Sequence, residues 1–162
     1  MAQEDFFLDL GDIKGESQDA DLKDQIHITS FSFGVSNSGT GGINMGSGAS
    51  KVNVQDLHLT KMMDKSSPNL FGACASGKHI PTGKLTVRRA GGDAPETYLT
   101  YEMTEVFVSS HTVSGAEGGG LAQESVSLNF SKIKMTYTQQ SATGGKGTDI
   151  PKTLDIKANK VT

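Results

Sequence analysis

Four histidines, one cysteine and one glycine-rich run are the residues of this 162-residue chain whose types could do chemistry. A metal centre needs imidazoles or thiolates at short paired spacings, so that one helical turn or one hairpin brings two ligands to the same ion. His27, His58, His79 and His111 are far apart with no such pairing, and the single Cys74 can build neither a thiolate cage nor a disulfide framework. The run GGINMGS at residues 41–47 imitates a phosphate cradle, but Ser47 stands where the motif requires the lysine that reaches the phosphates. Nucleotide binding is therefore not expected. Gly72-Ala73-Cys74-Ala75-Ser76 approaches a nucleophile elbow, yet it lacks the second glycine and falls in a helical stretch rather than at a strand-to-helix turn. A lone cysteine on the apolar side of a helix reads as a small core residue. No two carboxylates can be singled out as a general acid and base. The expectation is a protein without catalytic residues, metal or cofactor.

The elements that would position any site are strands. Phe6 to Leu10 is a short apolar strand, followed by a long polar loop from Gly11 to Asp24. In the stretch from Gln25 to Val35, Ile26 and Ile28 alternate in one phase while Phe31, Phe33 and Val35 alternate in the other. A slip of one residue turns every side chain to the opposite face, so the chain must bulge or bend near Thr29 and Ser30 to keep its apolar residues in one core. The same slip separates Val52 and Val54 from Leu57 and Leu59, and Val126, Leu128 and Phe130 from Ile133, Met135 and Tyr137. Strands that bend in this way belong to a sheet that folds over on itself, so the chain is expected to be mainly β, a curved β-barrel or sandwich.

One short helix interrupts the strands. Ser67-Pro68 supplies a capping hydroxyl and a proline at the first helical position, Gly77 supplies the stop, and Leu70 and Cys74 with Phe71 beside them form an apolar face. After it come strands over 84–89, through Leu99, Tyr101 and Met103 to Val108, and a last one in which Leu154, Ile156 and Ala158 alternate with polar neighbours.

Size, charge and termini narrow the function. The length suits one domain, 1–162, with a real core. With 15 basic and 18 acidic residues, nothing points to nucleic acid. The charge comes in blocks: residues 1–24 hold eight acids and two bases, 51–92 two acids and seven bases, 93–124 six acids and no base, 132–160 two acids and six bases. Blocks of opposite sign are expected to become neighbours within the fold. The acidic start MAQEDFFLDLGD does not fit a secretory signal, and no apolar run approaches a bilayer span. A protein that folds in the cytoplasm, without membrane insertion, is expected.

Two stretches suggest contact surfaces. The uncharged loop from Ser36 to Ser50 holds Ile43 and Met45, and Gly41, Gly42, Ile43, Asn44, Met45, Gly46, Ser47 and Gly48 are its candidate contacts with a neighbouring subunit. Between Phe31 and Phe33, which face the core, Ser32 must face away from it, with Thr29 and Ser30 beside it. His58 and Thr60 on a following strand face away in the same manner.

The residues Lys51, Asp56-Leu57, Thr60-Lys61, Asp64-Lys65-Ser66-Ser67-Pro68, Cys74, Gly77-Lys78-His79, Arg88, Ala90-Gly91-Gly92 and Tyr98-Leu99 resemble the haemolysin-coregulated protein (Hcp) family of type VI secretion systems. Gly15-Glu16-Ser17, the aromatic pair Phe31 and Phe33, Asp155 and Asn159-Lys160 extend the resemblance toward both ends. Family members often carry tryptophan at the aromatic pair and at the position of Leu154, and this chain has none. The resemblance implies a homohexameric ring that stacks into the inner tube of a contractile apparatus, secreted with a spike protein inside a sheath, and carrying effector proteins in its lumen. It also implies that the 41–48 loop reaches over the next subunit and that Thr29, Ser30 and Ser32 line the hole. A tail-tube protein of a contractile phage-like particle shares that architecture, and a small barrel hydrolase or thiol enzyme is the alternative of another class.

Overall fold

The phase slips in the sequence are corners at which the chain passes from one sheet to another. A computed structural model describes residues 4–37, 52–90 and 94–162. Its elements are β1 Glu4–Asp9, β2 Ile26–Ile28, β3 Ser30–Ser32, β4 Val35–Ser36, β5 Asn53–Val54, β6 Leu57–Met62, α1 Ser67–Ser76, β7 Ile80–Arg89, β8 Glu96–Ser114, β9 Gln123–Asn129, β10 Lys132–Gln140, β11 Lys146–Asp155 and β12 Lys160–Val161. At Thr29 the chain leaves β1, against which Ile28 faces Phe6, and joins β6, against which Ser32 faces His58. Between Val54 and Leu57 it passes from the β4–β5 ribbon into the sheet of β3 and β9. At Phe130 it passes from β9 to β10, beside β8 and β11.

A fourth slip lies inside β8, where Tyr101 and Met103 are buried in one phase and Val106 and Val108 in the other. Between them Glu105 takes a left-handed φ of 54°, a conformation disfavoured for a side chain with a Cβ and suited to a bend. Strand β8 therefore serves two sheets. Its first half pairs with β7 and β10 in a large sheet of order β12-β11-β10-β8-β7-β1-β2, and its second half pairs with β9 in a small sheet with β6 and β3. The result is an open sandwich, not a closed barrel.

The two sheets enclose Leu8, Ile26, Ile28, Leu57, Leu59, Leu85, Val87, Met103, Val106 and Leu128, all at most 2 % exposed. Phe31 and Phe33 fill the mouth of this core edge-on, with ring centroids 5.1 Å from Phe6 to Phe31 and 5.6 Å from Phe33 to Tyr101.

The helix departs from expectation at its start and on its face. Its N-cap is Ser66, which makes no side-chain cap bond, and Ser67 turns its hydroxyl into the protein. Gly77 ends it at φ 66°, with Lys78 N–H donating to Ala73 O at 3.1 Å. Leu70 and Ala73 face the core, whereas Phe71 is 65 % exposed and does not belong to the buried face. Strand β7 begins earlier than expected, at Ile80, and β11 starts at Lys146 and ends at Asp155, so Ile156 and Ala158 lie in a turn before β12.

The polar loop before β2 is folded back on itself. Gly15 N–H donates to Asp24 O at 2.8 Å and Ser17 N–H to Gln25 O at 3.1 Å. A Cβ at Gly15 would lie 2.5 Å from Gln25 O and from Ile26 Cα, so only glycine fits. Arg88 clamps the loop with two bonds to Asp19 at 3.1 and 2.7 Å while its guanidinium lies 4.9 Å from the Phe7 ring centroid. The hydrogen bond from Arg88 and its charge outweigh burial and hold the Asp19 carboxyl below its ordinary range. Here a base from the 51–92 block meets an acid from the first block, as the charge pattern suggests.

Candidate assembly and cargo surfaces

The small sheet presents two unlike faces. Away from the core, β3 carries Ser30 and Ser32, β6 carries His58 and Thr60, β9 carries Ser125 and Ser127, and β8 carries Ser110 and Thr112. Strand register sets them side by side: Ser32 opposite His58, Ser30 opposite Thr60, His58 opposite Ser127, Thr60 opposite Ser125. Hydroxyls link the strands, Thr29 Oγ1 to Thr60 Oγ1 at 2.8 Å with Ser30 Oγ also on Thr60, and Ser127 Oγ to Ser109 Oγ at 2.8 Å with Ser110 also on Ser127. At the edge of this face Asp56 accepts from Ser109 Oγ at 2.6 Å and from Asn129 Nδ2 at 2.9 Å. Both of its carboxylate oxygens are thus occupied. The rest of the face is uncharged and rich in hydroxyls that both donate and accept.

The same strands carry charge on their inward side. Lys61 is 1 % exposed and Glu124 1 % exposed, and they pair directly. Lys61 Nζ also donates to Met62 O and Asp64 Oδ1 at 3.0 Å and to Ser67 Oγ at 3.2 Å, which satisfies the ammonium. Glu124 accepts from Ser67 Oγ at 2.7 Å and meets His111 Nε2 at 2.6 Å. Burial pushes the Glu124 carboxyl up, but hydrogen bonds from Lys61, Ser67 and His111 outweigh it and hold the group below its ordinary range. A serine, a histidine and a carboxylate meet here, but the arrangement is not that of a nucleophile relay. Glu124 separates Ser67 from His111, and Ser67 and Glu124 are buried. The cluster anchors the start of α1 to the small sheet.

A third surface lies where the large sheet runs past the core. Val35, Met135, Tyr137, Ile150 and Val161 are 55, 45, 41, 52 and 66 % exposed. A groove of about 450 Å³ runs between Phe33, Val35, Tyr101, Met135, Leu154 and Val161. Met135 and Tyr137 continue the buried phase of Ile133, yet no strand among the described residues covers them.

Sequence reasoning placed Thr29, Ser30 and Ser32 together on an outward face, and in the structure all three are exposed and grouped by the β3–β6 register. Residues 41–48 lie outside the described residues. The contribution of β8 and β9 to the hydroxyl face was missed, although Ser125 and Ser127 alternate with Val126 and Leu128. The buried charge cluster was missed too. Its signal is that Lys61 continues the inward phase of Leu57 and Leu59, and Glu124 that of Val126 and Leu128. Among the described residues no cluster of His, Cys, Asp or Glu suits a metal ion, and no helix is long and apolar enough to cross a membrane.

Similarity to known proteins agrees with this architecture. Residues 7–137 match the family described as "Type VI secretion system effector, Hcp". Protein hcp1 of Pseudomonas aeruginosa is 46 % identical over 142 residues, covering 88 % of each chain. The crystal structure of Hcp1 from Salmonella typhimurium superposes with a TM-score of 0.82 at 38 % identity, covering 100 % of both chains. A structure described as a type six secretion system protein superposes with a TM-score of 0.89 at 30 % identity, covering 99 % of this chain and 100 % of that one. On the family match over residues 7–137 and these identities across most of each chain, the chain belongs to the Hcp family of type VI secretion proteins.

Proposed function

We propose that this protein is the repeating subunit of a type VI secretion tube. Copies close into a hexameric ring, rings stack into the inner tube, and the hydroxyl-rich face of the small sheet lines the hole through which secreted effector proteins travel. The spike protein at the tip and the sheath around the tube are its further partners. In this reading the protein acts by assembly and not by catalysis, folds in the cytoplasm, and leaves with the apparatus.

The observation that carries the reading is the exposed apolar groove at Val35, Met135 and Val161. Soluble monomers rarely leave a contiguous apolar patch of this kind uncovered, and a contact between unlike surfaces of identical copies closes into a ring when the rotation per subunit permits. The loop of residues 41–48 is assigned to the same neighbour contact. Imaging of the purified protein should show rings with an open centre. Met135→Lys, on an exposed position, should leave the fold intact and abolish the rings, and deletion of residues 41–48 should weaken them. A protein that stays monomeric at every concentration would overturn the reading.

A further inference from the structure

The small sheet's outward face contains a depression of about 180 Å³ lined by Ser30, Ser32, His58, Thr60, Ser110 and Ser125, with Phe31, Leu59 and Val126 beneath. None of these lining residues carries a fixed charge. His58 is exposed in it and makes no hydrogen bond or ion pair among the described residues. The hydroxyls of Ser32 and Ser125 are likewise unengaged there, and the three hydroxyls of Thr29, Ser30 and Thr60 share two contacts, which leaves one O–H free to donate outward. Donors converge, and no acceptor-only group lines the site.

We propose that this depression binds a carboxylate side chain of an acidic protein segment, with His58 as its cation and the hydroxyls of Ser32 and Ser125 as its neutral donors. The proposal rests on the tube reading for its setting, since a segment travelling through the hole would pass this face. Imidazole is the side chain that gains charge under mild acid, and a charged donor to a carboxylate is stronger than a neutral one. The groups around His58 determine the sign. Strand β3 presents Ser30 and Ser32, β9 presents Ser125 and Ser127, and β8 presents Ser110 and Thr112, none of them titratable in this range. On its own strand side Asp56 is the one anion among the described residues, with both oxygens engaged by Ser109 and Asn129, and Lys61, Glu124 and His111 lie on the far side of the sheet. With His58 neutral the described residues of the face bear the negative charge of Asp56. Protonation of His58 cancels it and places the positive charge in the depression.

The test uses the full chain and two fluorescent peptides of equal length, one Glu-rich and the other with Gln at each Glu position. At pH 6 the Glu peptide should bind roughly two- to fivefold more tightly than the Gln peptide, the range a solvent-exposed ion pair supports. The preference should vanish in His58→Ala, which removes no core contact. Equal binding of the two peptides at pH 6, or an undiminished preference in a folded His58→Ala protein, would overturn the proposal. Imaging the same samples separates the two ideas. The face is exposed on the single chain, so the absence of rings would count against the tube reading and leave the peptide comparison valid.

Discussion

The two sheets of this sandwich place their charges on opposite sides. The large sheet carries a row of alternating sign across its outward face, with Asp9 opposite Lys84, Lys84 opposite Glu102 and Glu102 opposite Lys134 on four neighbouring strands. The small sheet keeps its ion pair inward, at Lys61 and Glu124, and turns hydroxyls outward. A charged row fixes its own partners and resists a second set, whereas a hydroxyl face can accept or donate to whatever meets it. The difference also separates two energetic roles. Ions in water are already solvated and contribute little by pairing, while a buried ion left without its partner is strongly destabilising.

The largest effect should come from breaking the inward pair alone. Lys61→Met leaves Glu124 ionised, 1 % exposed and without its cation, which should cost about 3–5 kcal/mol in urea-induced unfolding. Replacing both partners, as Lys61→Met with Glu124→Leu, should recover much of that loss, because the apolar pair extends the phase of Leu57, Leu59, Val126 and Leu128. A single-mutant cost under about 1 kcal/mol would mean that the cluster is wetter than its burial implies.

Acid should act on the same cluster. A carboxyl with a depressed folded-state value contributes stability above its ordinary value of 4.5, and that stability is lost as pH falls through the lower folded value. Unfolding followed against pH should show the wild type losing stability below about 4.5 more steeply than Glu124→Gln, which has no such proton to take up. Parallel curves would assign the acid sensitivity to other carboxylates, Asp19 first among them.

The outward row should respond weakly. Lys134 and Glu102 lie 4.0 Å apart at 46 and 48 % side-chain exposure, so Glu102→Ala should change stability by at most about 1 kcal/mol. Whatever difference is seen should shrink further in high salt, since exposed pairs are screened over roughly 8 Å at physiological ionic strength. An effect as large as that of Lys61→Met would erase the contrast between the two sheets.

What the sequence disclosed and what it withheld follow the same division. The corners at Thr29, Gln55 and Phe130 were legible because a change of period-two phase is a local signal, readable from a handful of residues. The bend inside β8 carries that signal too, between Met103 and Val106, but no turn residue marks it and Glu105 gives no hint of its left-handed backbone. Phe71 was misassigned because a ten-residue helix presents too few turns for its apolar side to be averaged reliably. The meeting of Lys61, His111 and Glu124 is a product of strand register over long sequence separation. Only their anomalous place in an apolar phase could have announced it. Met135 and Tyr137 look like core residues in sequence because periodicity reports which side is apolar, not whether this chain covers it.

The smallest effect on stability, and the sharpest on function, is expected at Ser32. Its neighbours Phe31 and Phe33 are half-buried against Phe6, Tyr101 and Phe130, so period two alone directs Ser32 away from the core. In the small sheet it faces His58 on β6, on the hydroxyl-rich side. A longer polar side chain there enters no packed space, and Ser32→Gln should stay within about 0.5 kcal/mol of the wild type in urea unfolding. If this face lines a symmetric hole, one substitution is repeated in every subunit and narrows the passage all round, so capture of an effector that fills the hole should fall sharply while imaging still shows intact rings. A variant on the large sheet's outward face, Lys84→Gln, supplies the matching control, since it alters a charged row without entering the hole. Loss of capture by both variants would place cargo on neither face in particular. Retention of capture by an assembled Ser32→Gln ring would remove the small sheet from the wall of the hole, whatever its hydroxyls suggest.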